Sequence, residues 1–261
     1  MDFETLKVTI EDGIATVRIN RPECFNAIND KVLIETALCN KMLEEDDEVK
    51  AIVLAGNEEN KFFAAGADIR ELVDYAPVQT EKFIALVHTA IKGIYNATKP
   101  TVAAIAGLAL GGGLEMTLAC DMRIAADTAL FGVPEINLGV LPGGGGTQQL
   151  PRIIGIARAK QMIYSGEMID AQTALSYGLV NKVVPVAELR EESLRMARKL
   201  TRKPPVAFRM AKSLINTALD VNLDDGLIAE KNAFSLLFST ADQKEGMKAF
   251  MENRRATFVG K

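Results

Sequence analysis

Residues 107–147 read GLALGGGLEMTLACDMRIAADTALFGVPEINLGVLPGGGGT, and the rest of the chain is organised around them. Two glycine runs, Gly111-Gly112-Gly113 and Gly143-Gly144-Gly145-Gly146, enclose a short apolar helical stretch and two isolated glutamates, Glu115 and Glu135. Glycine weakens regular structure and is useful where the backbone takes positive φ or approaches a ligand closely. A dinucleotide fingerprint would need glycine at Met116 or Gln148, and no GK[ST] follows either run, so phosphate cradles of both common kinds are absent. The remaining physical reading is an oxyanion hole, with backbone N–H groups near Gly112 at a helix start aimed at a carbonyl oxygen that gains charge. The small-residue turn at Gly66-Ala67 is the candidate second donor.

Each acid has an ordinary explanation. Glu115 near a first helical turn suits the macrodipole, and Glu135 after Pro134 fits a surface loop. Their neighbours raise the interest: Leu114, Met116 and Leu118 bracket one, Phe131, Val133, Ile136 and Leu138 the other. Partial desolvation in such company raises a carboxyl pKa toward the range useful for proton transfer.

Composition excludes several alternatives. A net charge of −4 gives no footprint for nucleic acid or an anionic membrane. The acidic start MDFETLKVTIEDG resembles no targeting signal, and apolar runs are broken before spanning length, so the expectation is a cytoplasmic protein without a membrane segment. Cys24, Cys39 and Cys120 lack metal or disulfide spacing. The single histidine, His88, lies between Val87 and Thr89 in a helical stretch with no nearby nucleophile and reads as structural. No metal site is expected, which leaves carboxylates and backbone dipoles to carry any chemistry.

Along the chain, alternation on either side of Asp12-Gly13 predicts a hairpin over 6–20, and a helix follows over about 29–47. The runs 51–56 and 101–106 predict strands buried on both faces. Between them lie a polar loop at 57–61, a turn at Gly66 entering a helix, and a longer helix from Pro77 to about residue 97. Helices over 156–164 and 170–177 end at Gly166 and Gly178, and a last strand lies within 179–185. Beyond it the signals are helical, with Leu223, Leu227, Ile228, Phe234, Leu237 and Phe238 as an apolar stripe and Thr240 with Gln243 as a capping box. The expected organisation is an α/β core over 1–195 and a helical region over 196–261 whose apolar surface either packs on its own core or assembles copies of the chain.

Several motifs together resemble the enoyl-CoA hydratase (crotonase) family: Asn20-Arg21-Pro22 with Asn26-Ala27, Ala65-Gly66-Ala67-Asp68-Ile69, Gly111-Gly112-Gly113-Leu114-Glu115 with Cys120-Asp121, Phe131-Gly132-Val133-Pro134-Glu135-Ile136, and Pro142-Gly143-Gly144-Gly145-Gly146-Thr147-Gln148. The resemblance runs over essentially the whole chain. It implies an α/β crotonase-type spiral of repeated ββα units with C-terminal helices that build a homotrimer or a hexamer, a dimer of trimers. It implies an acyl-CoA thioester substrate, no cofactor, and an oxyanion hole from the N–H groups of Ala67 and Gly112. By the same resemblance Ala65, Asp68, Ile69 and Arg70 contact the acyl-CoA, Gly143 lies by the reacting water, and Glu115 and Glu135 are the catalytic pair. Hydrating members carry both acids, whereas isomerases typically keep one. Val133, Leu114 and Gln149 depart from residues frequent in hydratases, and the first two of these point to an altered pocket wall. The implied activity is hydration of 2-trans-enoyl-CoA, or the reverse dehydration, with double-bond isomerisation as the nearest enzyme alternative. Relatives that bind RNA supply a non-enzyme alternative. Against it, residues 29–50 set three lysines among seven acids, which repels phosphate.

Overall fold

Asp12 and Gly13 both take positive φ, 53° and 75°, and close the expected hairpin between β1 (Leu6–Glu11) and β2 (Ile14–Ile19). The computed structural model describes residues 2–57 and 62–261. The polar loop expected at 57–61 lies, after Asn57, outside them.

Helix α1 (Asp30–Glu45) starts where Asn29 accepts the Val32 N–H. The chain then repeats one pattern: a strand, a short strand, and a helix. First come β3 (Ala51–Ala55), β4 (Phe62–Ala64), the single turn α2 (Ile69–Leu72) and α3 (Pro77–Tyr95). Next are β5 (Thr101–Ile105), β6 (Leu108–Leu110) and α4 (Gly112–Leu118). The third pass holds β7 (Met122–Ala126), β8 (Leu130–Gly132), a 3-10 turn at Pro134–Leu138 and α5 (Gly146–Ile154). Helix α6 (Ile156–Ser165), β9 (Ile169–Asp170), α7 (Ala171–Tyr177) and β10 (Lys182–Val184) complete it, with Gly155, Gly166 and Gly178 at positive φ where the helices were expected to stop.

The long strands form one sheet in the order β1-β2-β3-β5-β7-β10, parallel beyond the hairpin, and the short ones a second in the order β4-β6-β8-β9. Each pass therefore adds one strand to each sheet, which is the ββα spiral. Both β3 and β5 are buried along their length because alternate residues serve different cores. Ile52, Leu54, Ala103 and Ile105 face the cluster shared with α1 and α3. Ala51, Val53, Val102 and Ala104 face Leu189, Leu194 and Ala197 of α8 (Leu189–Thr201). The division expected between residues 195 and 196 falls inside α8, which is one of the layers covering the first sheet.

After α8 come α9 (Pro205–Thr217), α10 (Leu223–Leu237) and α11 (Ala241–Met251). A partly buried ion pair between Lys212 of α9 and Asp121, at 3.0 Å, ties this region to the core, and Asp121 also accepts the Thr101 N–H at 2.7 Å. Helix α10 buries none of its residues; Leu223 and Phe234 are 76% and 62% exposed. At α11 only half of the expected capping box forms. Thr240 accepts the Gln243 N–H, but the Gln243 side chain turns to the Met247 sulfur.

Candidate active site

Strands β4 and β6 are neighbours, so the turns that leave them lie side by side. Gly66 (φ 97°) and Gly111 (φ 49°) permit those turns, and a Cβ on Gly111 would stand 3.7 Å from the Gly66 Cα. Ala67 forms a parallel bridge with Ile28, in which the Ile28 N–H donates to Gly66 O and the Asp68 N–H to Ile28 O, both at 2.8 Å. That pattern turns the Ala67 N–H away from Ile28. The Gly112 N–H is the first of α4, where helical partners are lacking. Among the described residues neither N–H has an acceptor, and the two expected donors are brought together.

Glu115 projects from α4 and is 2% exposed. Gly113 permits this placement: a Cβ there would fall 2.3 Å from Ala64 O, so the helix starts in direct contact with the end of β4. One carboxylate oxygen, Oε1, accepts the N–H groups of Gly144 and Gly146 at 2.8 and 2.7 Å. Burial pushes the carboxyl up to about 7, with the charge of Glu135 adding to the rise and the two N–H groups opposing it. The second glycine run therefore serves as a cradle for an acid, and its closeness is tight, since a Cβ on Gly144 would meet Glu115 Oε2 at 2.5 Å.

Glu135 sits on the 3-10 turn after β8. Its Oε1 lies 2.6 Å from where a Gly111 Cβ would be, while the buried Oε2 has no partner among the described residues. Burial raises its pKa, opposed by its own backbone N–H. Phe131 and Val133 are buried beside it as expected, but Ile136 and Leu138 are 44% and 58% exposed and do not desolvate it. The 3-10 turn, unlike a strand, carries these two side chains outward. Glu135 Oε1 and Glu115 Oε2 thus border the consecutive residues Gly111 and Gly112, beside the two free N–H groups. Such an arrangement can polarise a carbonyl and move protons on both sides of its neighbouring carbons.

Ala65 is held by its N–H to Phe25 O at 3.1 Å, and Ile69 is half-exposed at the start of α2. Asp68 is buried, and its carboxylate accepts from Arg70 at 2.9 and 3.0 Å and from Arg21 at 3.3 Å. The Arg70 guanidinium, helped by Arg21, holds the Asp68 carboxyl below the usual range against its burial. Arg70 is 73% exposed, anchored at the rim and open to solvent. Arg21 also donates to Ala27 O, and Asn26, at φ 57°, donates to Phe63 O at 3.1 Å. This hook fastens the segment before α1 onto the Gly66 turn, a role that the motif Asn20-Arg21-Pro22 did not reveal by itself.

Gly143 is placed by α3: a Cβ on it would meet Ile84 Cδ1 at 2.7 Å, and its carbonyl lies 2.8 Å from His88 Nε2. His88, read from the sequence as structural, therefore touches the acid cradle across 55 positions of sequence. Among the described residues no group of three or more His, Cys, Asp or Glu is placed to hold a metal ion.

The chain matches the family model for enoyl-CoA hydratase/isomerase over residues 9–261. It is 40% identical to a crotonyl-CoA hydratase of Syntrophomonas wolfei, over the full length of both chains. It is 41% identical to a short-chain-enoyl-CoA hydratase of Clostridium acetobutylicum, covering 98% of this chain and 97% of that one. A solved enoyl-CoA hydratase from Bacillus anthracis superposes with a TM-score of 0.94 at 37% identity, covering 99% of this chain and 100% of that one. Fold, two-acid site and full-length similarity agree: the chain belongs to the enoyl-CoA hydratase/isomerase family.

Proposed function

We propose that the chain adds water reversibly to a 2-trans-enoyl-CoA, giving 3-hydroxyacyl-CoA. The observation that carries this reading is the pair Glu115 and Glu135, both with raised pKa, on either side of Gly111-Gly112 next to two unengaged N–H groups. The N–H groups of Ala67 and Gly112 take the thioester oxygen and draw electron density from Cβ. Glu115 Oε2 orients a water and accepts one of its protons as the oxygen bonds to Cβ. Glu135 delivers a proton to Cα, and the negative charge on the thioester oxygen collapses. One water is consumed, with no electron transfer and no cofactor. Because the acids interact, their protons titrate as a pair and the division of roles belongs to the dyad.

Arg70, held by Asp68, is the rim cation for a CoA phosphate, with Ile69 and Ala65 flanking the thioester arm and Gly143 bordering the water. The relatives named for crotonyl-CoA and short-chain substrates support a short acyl group. The exposed apolar face of α9–α11, within the region 196–261, is the surface on which copies assemble as a trimer or hexamer. Three free cysteines suit a reducing compartment such as the cytoplasm, and the acidic run Glu44-Glu45-Asp46-Asp47-Glu48 at the end of α1 disfavours nucleic acid.

The test is loss of the conjugated enoyl-thioester absorbance with crotonyl-CoA, run beside 3-enoyl-CoA. Hydration of the first supports the reading; turnover of the second alone assigns isomerisation instead. Light scattering at micromolar protein tests assembly, and a monomer overturns that part.

A further inference from the structure

One contact at the site is unused by this mechanism. Helix α3 presents Ile84, His88 and Ile91 at positions i, i+4 and i+7, one face of a helix. All three meet the glycine cradle. Ile84 Cδ1 and Ile91 Cδ1 lie 2.7 and 2.8 Å from where Cβ atoms of Gly143 and Gly144 would be, and His88 Nε2 lies 2.8 Å from Gly143 O. A carbonyl oxygen only accepts, so Nε2 carries the hydrogen and donates.

The Gly143 carbonyl and the Gly144 N–H belong to one peptide group. That N–H is the donor to Glu115 Oε1 at 2.8 Å. We propose that His88 is a positioning residue for Glu115, acting through the Gly143–Gly144 peptide. The bonds run His88 Nε2–H to Gly143 O, and Gly144 N–H to Glu115 Oε1, on opposite ends of one amide plane.

Two physical consequences give this contact its weight. Glycines on both sides leave the peptide free to rotate, and a flip would aim the carbonyl dipole at the Glu115 carboxylate. The His88 bond holds the carbonyl on the α3 side and so holds the N–H on the acid. Two hydrogen bonds on one amide also polarise each other, which strengthens the donor that Glu115 receives. With Oε1 fixed by Gly144 and Gly146, Oε2 stays beside Gly112, where the hydration reading places the water. His88 itself is exposed, so trimming it opens no cavity in the core.

The proposal rests on the hydration reading for its kinetic consequence, but not for its structural one. His88→Ala and His88→Gln are compared with the unaltered chain for kcat and KM with crotonyl-CoA, for thermal midpoint, and for the Gly144 amide resonance in glycine-labelled protein. Glutamine carries an amide N–H that can reach the position of Nε2. The expected result is a kcat about 3- to 10-fold lower in His88→Ala, the scale of one lost hydrogen bond, with KM within about 2-fold and an unchanged midpoint. The Gly144 amide moves upfield, and His88→Gln recovers most of both effects. The proposal is overturned if His88→Ala keeps full kcat, if the loss falls on KM alone, or if the Gly144 resonance stays in place. Should the unaltered chain hydrate nothing, the function reading fails, and the Gly144 resonance still decides the role of His88.

Discussion

Replacing Glu115 by glutamine should make the protein more stable at pH 8 while removing its activity. Glutamine keeps a carbonyl oxygen that can accept the Gly144 and Gly146 N–H groups in the geometry of Oε1, so the cradle remains satisfied. What changes is charge. The Glu115 carboxyl rises from an ordinary 4.5 to about 7 on folding, chiefly through burial. A raised folded pKa means that the native state binds the proton more tightly than the unfolded chain does. The stabilisation linked to that proton is complete below about pH 4.5 and is lost as pH climbs through about 7. At about 1.4 kcal/mol per pH unit the full loss is about 3 kcal/mol. Glutamine has no such proton to lose, so the gain of Glu115→Gln over the unaltered chain should grow from near zero at pH 4.5 to about 3 kcal/mol at pH 8. Urea unfolding at both pH values and one protein concentration measures this difference. Part of the rise comes from the charge of Glu135, so the increment should shrink in a Glu135→Gln background. An increment that does not change with pH, or a variant less stable at pH 8, would refute the account of a desolvated acid held by two amides.

Hydration by Glu115→Gln or Glu135→Gln should fall about 100-fold or more, the scale of a positioned acid or base. A saturated acyl-CoA should still bind Glu135→Gln within about 3-fold in calorimetry, because the backbone donors are untouched. Arg70→Ala should raise KM for crotonyl-CoA about 5-fold, as loss of one exposed charge contact does. The same variant should handle a truncated crotonyl thioester lacking the nucleotide as the unaltered chain does. Gly113→Ala forces a Cβ to within 2.3 Å of Ala64 O and 2.8 Å of Ala64 Cβ, and should cost about 2–3 kcal/mol in urea unfolding by displacing α4 from β4.

Much of the scaffold is visible in local sequence because local physics decides it. Asp12-Gly13 selects a two-residue turn, the unbroken apolar runs at 51–55 and 102–105 need cover on both faces, and Gly155, Gly166 and Gly178 stop helices by taking positive φ. The strands of the second sheet have three residues or fewer, too short to show a period, and they exist because neighbours pair with them. Helix α8 has an apolar stripe that says it packs but not on which layer, so local pattern alone does not say where along it the core ends. At the site, glycine spacing and isolated glutamates point to the proposed donors and acid pair. The contacts from Arg21 to Asp68 and from His88 to Gly143 bridge 47 and 55 positions, and no local pattern encodes such pairs.

The parallel order of β4, β6 and β8 has a consequence for how this site changes over time. Ala67, Gly112 and Glu135 follow the last residues of three adjacent strands, one from each turn of the spiral. Two of these positions contribute main-chain atoms, which most substitutions leave in place, and the third contributes a side chain that one codon can replace. On the proposed reading, carbonyl activation is written into the repeat itself, while the proton chemistry is written into single letters beside it. A lineage built on this plan can exchange one reaction for another without rebuilding the part that makes the thioester reactive.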